Sequence, residues 1–239
     1  MIKTDRMNRL LIAVLGFSLS LSAVASGMED DPLIGKVMID QFEKRYTEGS
    51  DPVVLEAQGW LGKDLHKLWI KIDAERVNGE NEEVEVQALY SRAVLPFWDL
   101  QVGWRHDFRP VPNRDWAVVG VQGLAPYWFE IDAALFLGDS GRTALRFEAE
   151  YEVLFTQRLI LTPELEINAF GKDDAETGVG SGLSDLELGL RLRYEIVREF
   201  APYIGVNWTN KYGNTADFAR ATGGETSDVQ FVLGVRAWF

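Results

Sequence analysis

The residues best suited to metal chemistry are two histidines, because the chain of 239 residues contains no cysteine. His106 is followed directly by Asp107, and His66 stands two residues after Asp64. Imidazole nitrogens bind copper and other transition metals, and carboxylates serve as harder ligands. His106 with Asp107 is therefore one candidate metal site and His66 a second, and a third is the acidic stretch 173–176, which suits a hard cation such as calcium. The alternative for each is a solvated residue where a strand meets a turn.

A second kind of chemistry is acid–base catalysis, which needs a histidine within hydrogen-bonding reach of an acidic group. His106 is the one candidate, with Asp107, Asp115 or Asp173 as its acidic partner. A serine hydrolase would also need a serine beside the histidine, and no serine is clearly placed for that role. We predict that the protein is not an enzyme.

The elements that position these residues are predicted by an alternation of apolar and polar side chains from Lys67 onward. In Val229–Phe239, for example, every second residue is apolar, which is the pattern of a strand with one apolar face. Ten such strands, joined by short and long connections in turn, predict an all-β, antiparallel, transmembrane β-barrel of the outer-membrane type. The alternative for Val229–Phe239, taken by itself, is a strand of a soluble sandwich or of a lipocalin-like barrel. Because His66 begins the first strand and His106 ends the third, they lie on the order of 25 Å apart.

The polar faces of these strands carry charges of both signs. In a membrane barrel the apolar face meets lipid, so the polar face lines the interior. Isolated buried charges are costly, so we predict that the interior charges pair in a salt-bridge network; a selective conduction path is the alternative. A ten-stranded lumen filled in this way is too narrow for a wide channel. The predicted members of the lumen network are Arg105, Arg146, Glu148, Glu150, Glu152, Arg158, Glu164, Glu166, Glu187, Arg191, Arg193, Glu195 and Arg236.

The segment before the strands is predicted to have two parts. Residues 1–25 resemble a secretory signal peptide, with a basic start, an apolar core and the A-x-A pattern at residues 23–25. Residues 26–66 are predicted to form a periplasmic N-terminal extension, and residues 67–239 form the barrel. This arrangement predicts a protein of the bacterial outer membrane, in contact with its lipid and with both termini in the periplasm. The net charge of −13 argues against a nucleic-acid partner, because nucleic-acid sites are basic.

Several blocks of sequence resemble the copper resistance protein B family, and the resemblance covers residues 55–239. The blocks are Pro96–Gln101, Gly123–Tyr127, Gln157–Leu161, Gly189–Ile196, Phe200–Val206 and the terminal Trp238-Phe239. The resemblance implies a non-enzymatic outer-membrane barrel of a copper resistance system, which binds copper ions or aids their export or sequestration. A periplasmic multicopper oxidase or copper carrier is the partner that it implies.

Copper is then the ion expected at His106, Asp107 and His66. Members of the family often carry a Met- and His-rich segment before the barrel. Residues 26–66 hold only Met28, Met38 and His66 of these two types, which is too few for a store of several copper ions. The alternative function is a passive structural or narrow-channel barrel with no metal role.

Overall fold

The structure, a computed structural model, describes residues 31–239, and the predicted signal peptide lies outside the described residues. Residues Leu33–Phe239 form one compact unit. Its strands are β1 (Ile34–Tyr46), β2 (Val53–Gly62), β3 (His66–Val77), β4 (Glu80–Leu95), β5 (Trp98–Arg109), β6 (Arg114–Ala125), β7 (Phe129–Gly138), β8 (Thr143–Glu150), β9 (Val153–Leu154), β10 (Leu159–Phe170), β11 (Gly182–Tyr194), β12 (Phe200–Lys211) and β13 (Ser227–Trp238). Its helical elements are α1 (Gly213–Ala221) and two 3-10 turns (Pro126–Trp128 and Asp139–Gly141). Within residues 31–239, no helix is long and apolar enough to cross a membrane.

The sheet closes into a barrel. The strands pair antiparallel in chain order, and β13 pairs with β1, from Trp238 opposite Met38 to Phe231 opposite Tyr46. β8 and β9 are two parts of one strand, because both pair with β10, on either side of Pro163. Proline has no N–H group to donate to a ladder, so the pairing is interrupted there. The all-β antiparallel prediction is confirmed, but the barrel has twelve strands and the predicted number of ten is wrong.

The two strands that the prediction missed are β1 and β2, which fall within residues 26–66. The prediction that this segment is a periplasmic extension is therefore wrong for Ile34–Gly62. A β-bulge explains the error for β1, because the pairing with β13 shifts between Ile39 and Phe42. The extra residue shifts the outward positions from odd numbers (Val37 and Ile39) to even numbers (Phe42), so the spacing of the apolar residues resembles that of a helix.

The walls of the barrel have an apolar outside and a polar inside. On β11, Leu190 is 47% exposed on the outer face, whereas Arg191, which points inward, is 5% exposed. Outward side chains of the neighbouring strands, such as Ile204 and Phe231, are exposed in the same way. This is the inversion that a membrane barrel requires, because lipid replaces water outside it.

The two ends of the barrel differ in their connections. We call the end that carries the start of β1 and the end of β13 the terminus end, and the other the far end. The turns at the terminus end are 63–65, 96–97, 126–128, 155–158 and 195–199. The turns at the far end are 47–52, 78–79, 110–113, 139–142, 171–181 and 212–226. The two longest connections are both at the far end, and α1 lies in the last of them.

Candidate functional site

The candidate site is the interior of the barrel, which contains a cavity of about 1290 Å³. Its lining reaches from Phe97 and Leu124 at the terminus end to Pro110 and Glu225 at the far end. Nineteen Asp and Glu residues line it, against thirteen Lys and Arg residues. The lumen is therefore acidic, and an acidic concave surface raises the local concentration of cations.

The first ion-pair network in this lumen is centred on the buried Arg191. Its guanidinium donates two hydrogen bonds of 2.9 Å to the carboxylate of Glu43 on β1. It donates a third of 2.5 Å to Glu164 on β10 and a fourth of 2.8 Å to Gln41. The hydroxyl of Tyr203 donates to Glu43 at 2.8 Å. These bonds satisfy the carboxylate oxygens, which charges withdrawn from bulk water require.

Glycines on the intervening strands give this network its room. A Cβ atom on Gly205 would lie 3.1 Å from Cγ of Arg191. A Cβ atom on Gly234 would lie 2.5 Å from the ring of Tyr203 and 2.7 Å from Cβ of Glu43. Glycine within a strand commonly marks such a close approach. The network can therefore lie flat along the wall from β11 to β1.

The second network joins β4, β5 and β8 around Glu85, which is almost completely buried. Arg105 approaches Glu85 at 2.8 Å and Arg146 approaches it at 2.9 Å. Arg105 also donates to Asp107 at 2.7 Å, and Trp116 donates its indole N–H to Asp107 at 2.8 Å. Two arginines thus share one buried glutamate, and Asp107 is held in the same network.

Between the two networks lies an excess of carboxylates, which we call the carboxylate belt and define as Glu56, Asp73, Glu148, Glu166 and Glu187. Glu56 is directly opposite Asp73, and Glu166 is directly opposite both Glu148 and Glu187. Like charges in directly opposed positions repel each other. The belt residues all line the cavity, so this part of the lumen attracts cations.

Few basic groups neutralise the belt. Arg146, already bound to Glu85, approaches Glu166 at 3.5 Å and Asp73 at 3.6 Å. Within the part of the chain that the structure describes, Glu56 and Glu148 form no ion pair. Arg45 also approaches Glu187 at 2.9 Å. Two guanidiniums therefore serve the five belt carboxylates, and Glu56 and Glu148 leave negative charge available to a cation.

The structure places most of the predicted lumen residues on the cavity wall. Those that line it are Arg105, Arg146, Glu148, Glu150, Glu164, Glu166, Glu187, Arg191, Arg193 and Arg236. Glu152 pairs with Arg193 and Arg236 beside the cavity at the terminus end. The prediction is wrong for Arg158 and Glu195: Arg158 is exposed in turn 155–158, and Glu195 pairs with Arg198 at 2.9 Å across turn 195–199.

Sequence reasoning missed the central carboxylates of the two networks, Glu43 and Glu85, and two members of the carboxylate belt, Glu56 and Asp73. Glu43 lies in β1, where the bulge hides the alternation. Glu85 was detectable, because it alternates with Val84 and Val86 on a strand that the sequence already predicted.

The structure does not bring the predicted metal ligands together. His106 points outward while Asp107, its neighbour on the strand, points into the lumen, so they cannot bind one ion. Nδ1 of His106 instead forms a hydrogen bond of 2.7 Å with Asp115, the residue paired with it on β6. Nδ2 of Asn113 lies 3.4 Å from Nε2 of the same ring. The histidine ring stacks on Trp104 at 5.4 Å.

His66 stands at the opposite end from His106, where its Nδ1 bonds to the hydroxyl of Tyr90. The two histidines pair with positions 92 and 86 of β4, a separation of roughly 20 Å along the strand direction. Among residues 31–239, no group of three or more His, Cys, Asp or Glu side chains could hold a metal ion.

The acidic stretch 173–176 is tied down by basic groups and not arranged around a cation. Asp174 accepts hydrogen bonds from Arg114 at 2.9 and 3.2 Å, and Arg142 approaches it at 3.1 Å. Partial burial by itself would raise the pKa of Asp174, but the hydrogen bonds and positive charge of Arg114, with that of Arg142, lower it. Asp173 accepts from the backbone N–H of Ser181 at 2.6 Å, and this bond lowers its pKa. These bonds occupy carboxylate oxygens that a hard cation would need, which favours the alternative of a loop without a bound cation.

Comparison with known proteins identifies the family of this chain. A family model described as Copper resistance protein B precursor (CopB) matches residues 33–239. The chain belongs to the copper resistance protein B family. It is 48% identical over 203 residues to Copper resistance protein B of Escherichia coli, an alignment that covers 85% of this chain and 69% of that protein. It is 42% identical over 212 residues to Copper resistance protein B homolog of Pseudomonas syringae pv. tomato, covering 89% of this chain and 72% of that protein.

Among solved structures, this family member is similar to outer-membrane barrels. The NanC porin matches with a TM-score of 0.56 at 13% identity, covering 85% of this chain and 99% of that chain. The KdgM porin matches with a TM-score of 0.51 at 12% identity, covering 86% and 99%. At such identities the likeness shows the fold alone. The predictions of the family and of an outer-membrane barrel are confirmed.

Proposed function

We propose that this barrel admits copper cations to its lumen and aids their export or sequestration across the outer membrane, without catalysing a reaction. The carboxylate belt is the observation that carries the proposal. Rings of Asp and Glu side chains select cations in other pores. Membership of the copper resistance protein B family supports copper as the cation.

The ligand chemistry of the lumen favours passage over storage. Tight copper sites use thiolate, thioether or imidazole groups, whereas carboxylates prefer harder ions. Among the described residues, Met38 is the one sulfur-containing side chain in the cavity lining, and both histidines lie outside that lining. We infer that carboxylates attract copper(II) ions and release them readily.

His106 and His66 are proposed as weak copper contacts on the outside of the barrel. Asp115 binds Nδ1 of His106, in the arrangement in which a carboxylate orients a metal-binding imidazole. A metal would bind at Nε2 and displace the long contact of 3.4 Å from Asn113. A single imidazole gives little affinity. We infer no catalysis at His106, because the residues paired with it on the neighbouring strands are Val86 and Asp115, and neither is a serine.

The orientation that we propose places the terminus end in the periplasm. The longest connections lie at the far end, and in bacterial outer-membrane barrels the longer loops face outward. A periplasmic multicopper oxidase or copper carrier would then exchange ions with the terminus-end mouth. Residues of both mouths line one cavity, which is consistent with that route.

Copper tolerance of a deletion strain tests the proposal. We expect the strain to be copper-sensitive, and the wild-type chain to restore tolerance. The double variant Glu148→Gln/Glu166→Gln should restore it poorly, because two belt charges are lost. The matched control is Glu48→Gln, which removes one exposed carboxylate from turn 47–52. Unchanged tolerance after deletion would favour the passive barrel with no metal role.

A further inference from the structure

The turns at the terminus end are unusually apolar. Each of the five carries at least one large apolar side chain that is exposed. We call these side chains the collar, and its members are Leu65, Phe97, Tyr127, Trp128, Phe155, Ile196 and Val197. Among the described residues of the far-end turns, the exposed large apolar side chain is Val111. The two ends of the barrel are therefore built for different surroundings.

The aromatic members of the collar project fully from the barrel. Tyr127 is 83% exposed, and Phe97 and Trp128 are each 72% exposed. The backbone at these three residues is left-handed, with φ of 67°, 67° and 68°. This conformation is unfavourable for bulky side chains. At the far end, left-handed turn positions are filled by residues that tolerate the conformation better, such as Asn78 and Gly79.

The collar is continuous with the lipid-facing wall. Phe97 precedes the outward Leu100 of β5, and Phe155 follows Leu154 of β9, and both of these leucines are exposed. Apolar surface thus runs from the wall to the tips of the turns without a polar gap on these strands. An apolar surface of this kind is stable in water only when another apolar phase covers it.

We propose that the collar inserts into the phospholipid leaflet, so that the terminus-end mouth opens at the level of the lipid headgroups. Tyr127 and Trp128 combine a large apolar ring with a polar edge, and such side chains accumulate at membrane interfaces. Arg158 is exposed beside Phe155, where its guanidinium can meet lipid phosphate while its stem stays among apolar groups. The collar is a lipid-binding surface whether or not copper is the cargo.

Spin labelling of the full barrel in phospholipid vesicles tests this proposal. The chain contains no cysteine, so one introduced cysteine gives one label. The variants are Tyr127→Cys and Phe155→Cys, with Glu48→Cys in a polar far-end turn as the matched control. The measurement is the accessibility of each label to oxygen, which concentrates in lipid, and to a water-soluble nickel chelate.

We expect the labels at positions 127 and 155 to be several-fold less accessible to the nickel chelate than the label at position 48, and more accessible to oxygen. Equal nickel accessibility at the three positions would overturn the proposal. Nickel protection that appears only after a periplasmic protein fraction is added would also overturn it, because the occupant would then be a protein. If one collar variant does not fold, the other decides the question.

Discussion

Replacing Arg191 by methionine should destabilise the barrel more than replacing any exposed arginine. The substitution keeps an unbranched side chain of similar length but removes the guanidinium that binds Glu43, Glu164 and Gln41. Two carboxylates then remain in the lumen without their principal cation. Removing one partner of a buried ion pair typically costs about 3–5 kcal/mol.

The local structure places the expected loss at the lower end of that range. Glu43 keeps hydrogen bonds from Arg45 at 2.7 Å and from Tyr203 at 2.8 Å. Glu164 faces the cavity, where water can solvate it, and Gln41 still donates to it at 3.0 Å. We therefore expect a loss of about 3 kcal/mol in the free energy of unfolding. Adding Glu164→Gln to Arg191→Met should recover about half of it, because Glu164, whose ion pair among the described residues is with Arg191, is then no longer an unpaired charge.

The assay is unfolding by urea in phospholipid vesicles, followed by tryptophan fluorescence and by the mobility of unheated samples on gels. The matched control is Arg198→Met, since Arg198 is 68% exposed and pairs with Glu195 in a turn. An exposed pair contributes less than about 1 kcal/mol. If the two variants lose equal stability, or if Glu164→Gln increases the loss, the account of a buried network around Arg191 is refuted.

Three further predictions concern other parts of the barrel. Gly234→Ala should lower the free energy of unfolding by about 1–3 kcal/mol, measured by the same urea assay, because its Cβ would meet the ring of Tyr203 at 2.5 Å. Asp174→Asn should speed amide hydrogen exchange in the loop after β10. Because the pKa of Asp174 is lowered, its stabilising effect is present at neutral pH and is lost as the pH falls through the folded-state pKa. The wild-type loop should therefore lose its protection from hydrogen exchange in acid. The loop of Asp174→Asn should show no such pH-dependent loss. His106→Ala should weaken a nitrogen-coordinated copper(II) signal in electron paramagnetic resonance, and His66→Ala/His106→Ala should abolish it, while copper entry into vesicles stays unchanged; slower entry would contradict a purely external role for the histidines.

The alternation of side chains was sufficient to predict the ten strands from β3 onward and the inverted walls of the barrel. Strands such as β11 keep strict period two from Leu186 to Tyr194, so each face can be assigned from sequence. β1 escaped because its bulge changes the outward phase between Ile39 and Phe42. β2 escaped for a different reason: its inward positions mix the apolar Val54 and Trp60 with Glu56 and Gln58, so no clean alternation marks it.

The candidate site was less predictable, because sequence order does not reveal which side chains meet across strands. His106 and Asp107 are neighbours in the chain but point to opposite faces, as period two demands. Asp115 became the partner of His106 through the register of β5 with β6. Likewise, the contact between Arg191 and Glu43 joins residues far apart in the chain, and only closure of β13 on β1 brings them together.

The reversal potential of the reconstituted barrel across a copper(II) salt gradient tests most directly whether the lumen conducts copper cations. We predict a potential of the sign that cation flow produces, and a smaller one for Glu148→Gln/Glu166→Gln than for the Glu48→Gln control. A potential that reports anion flow, or a barrel that conducts no copper at all, would contradict the account.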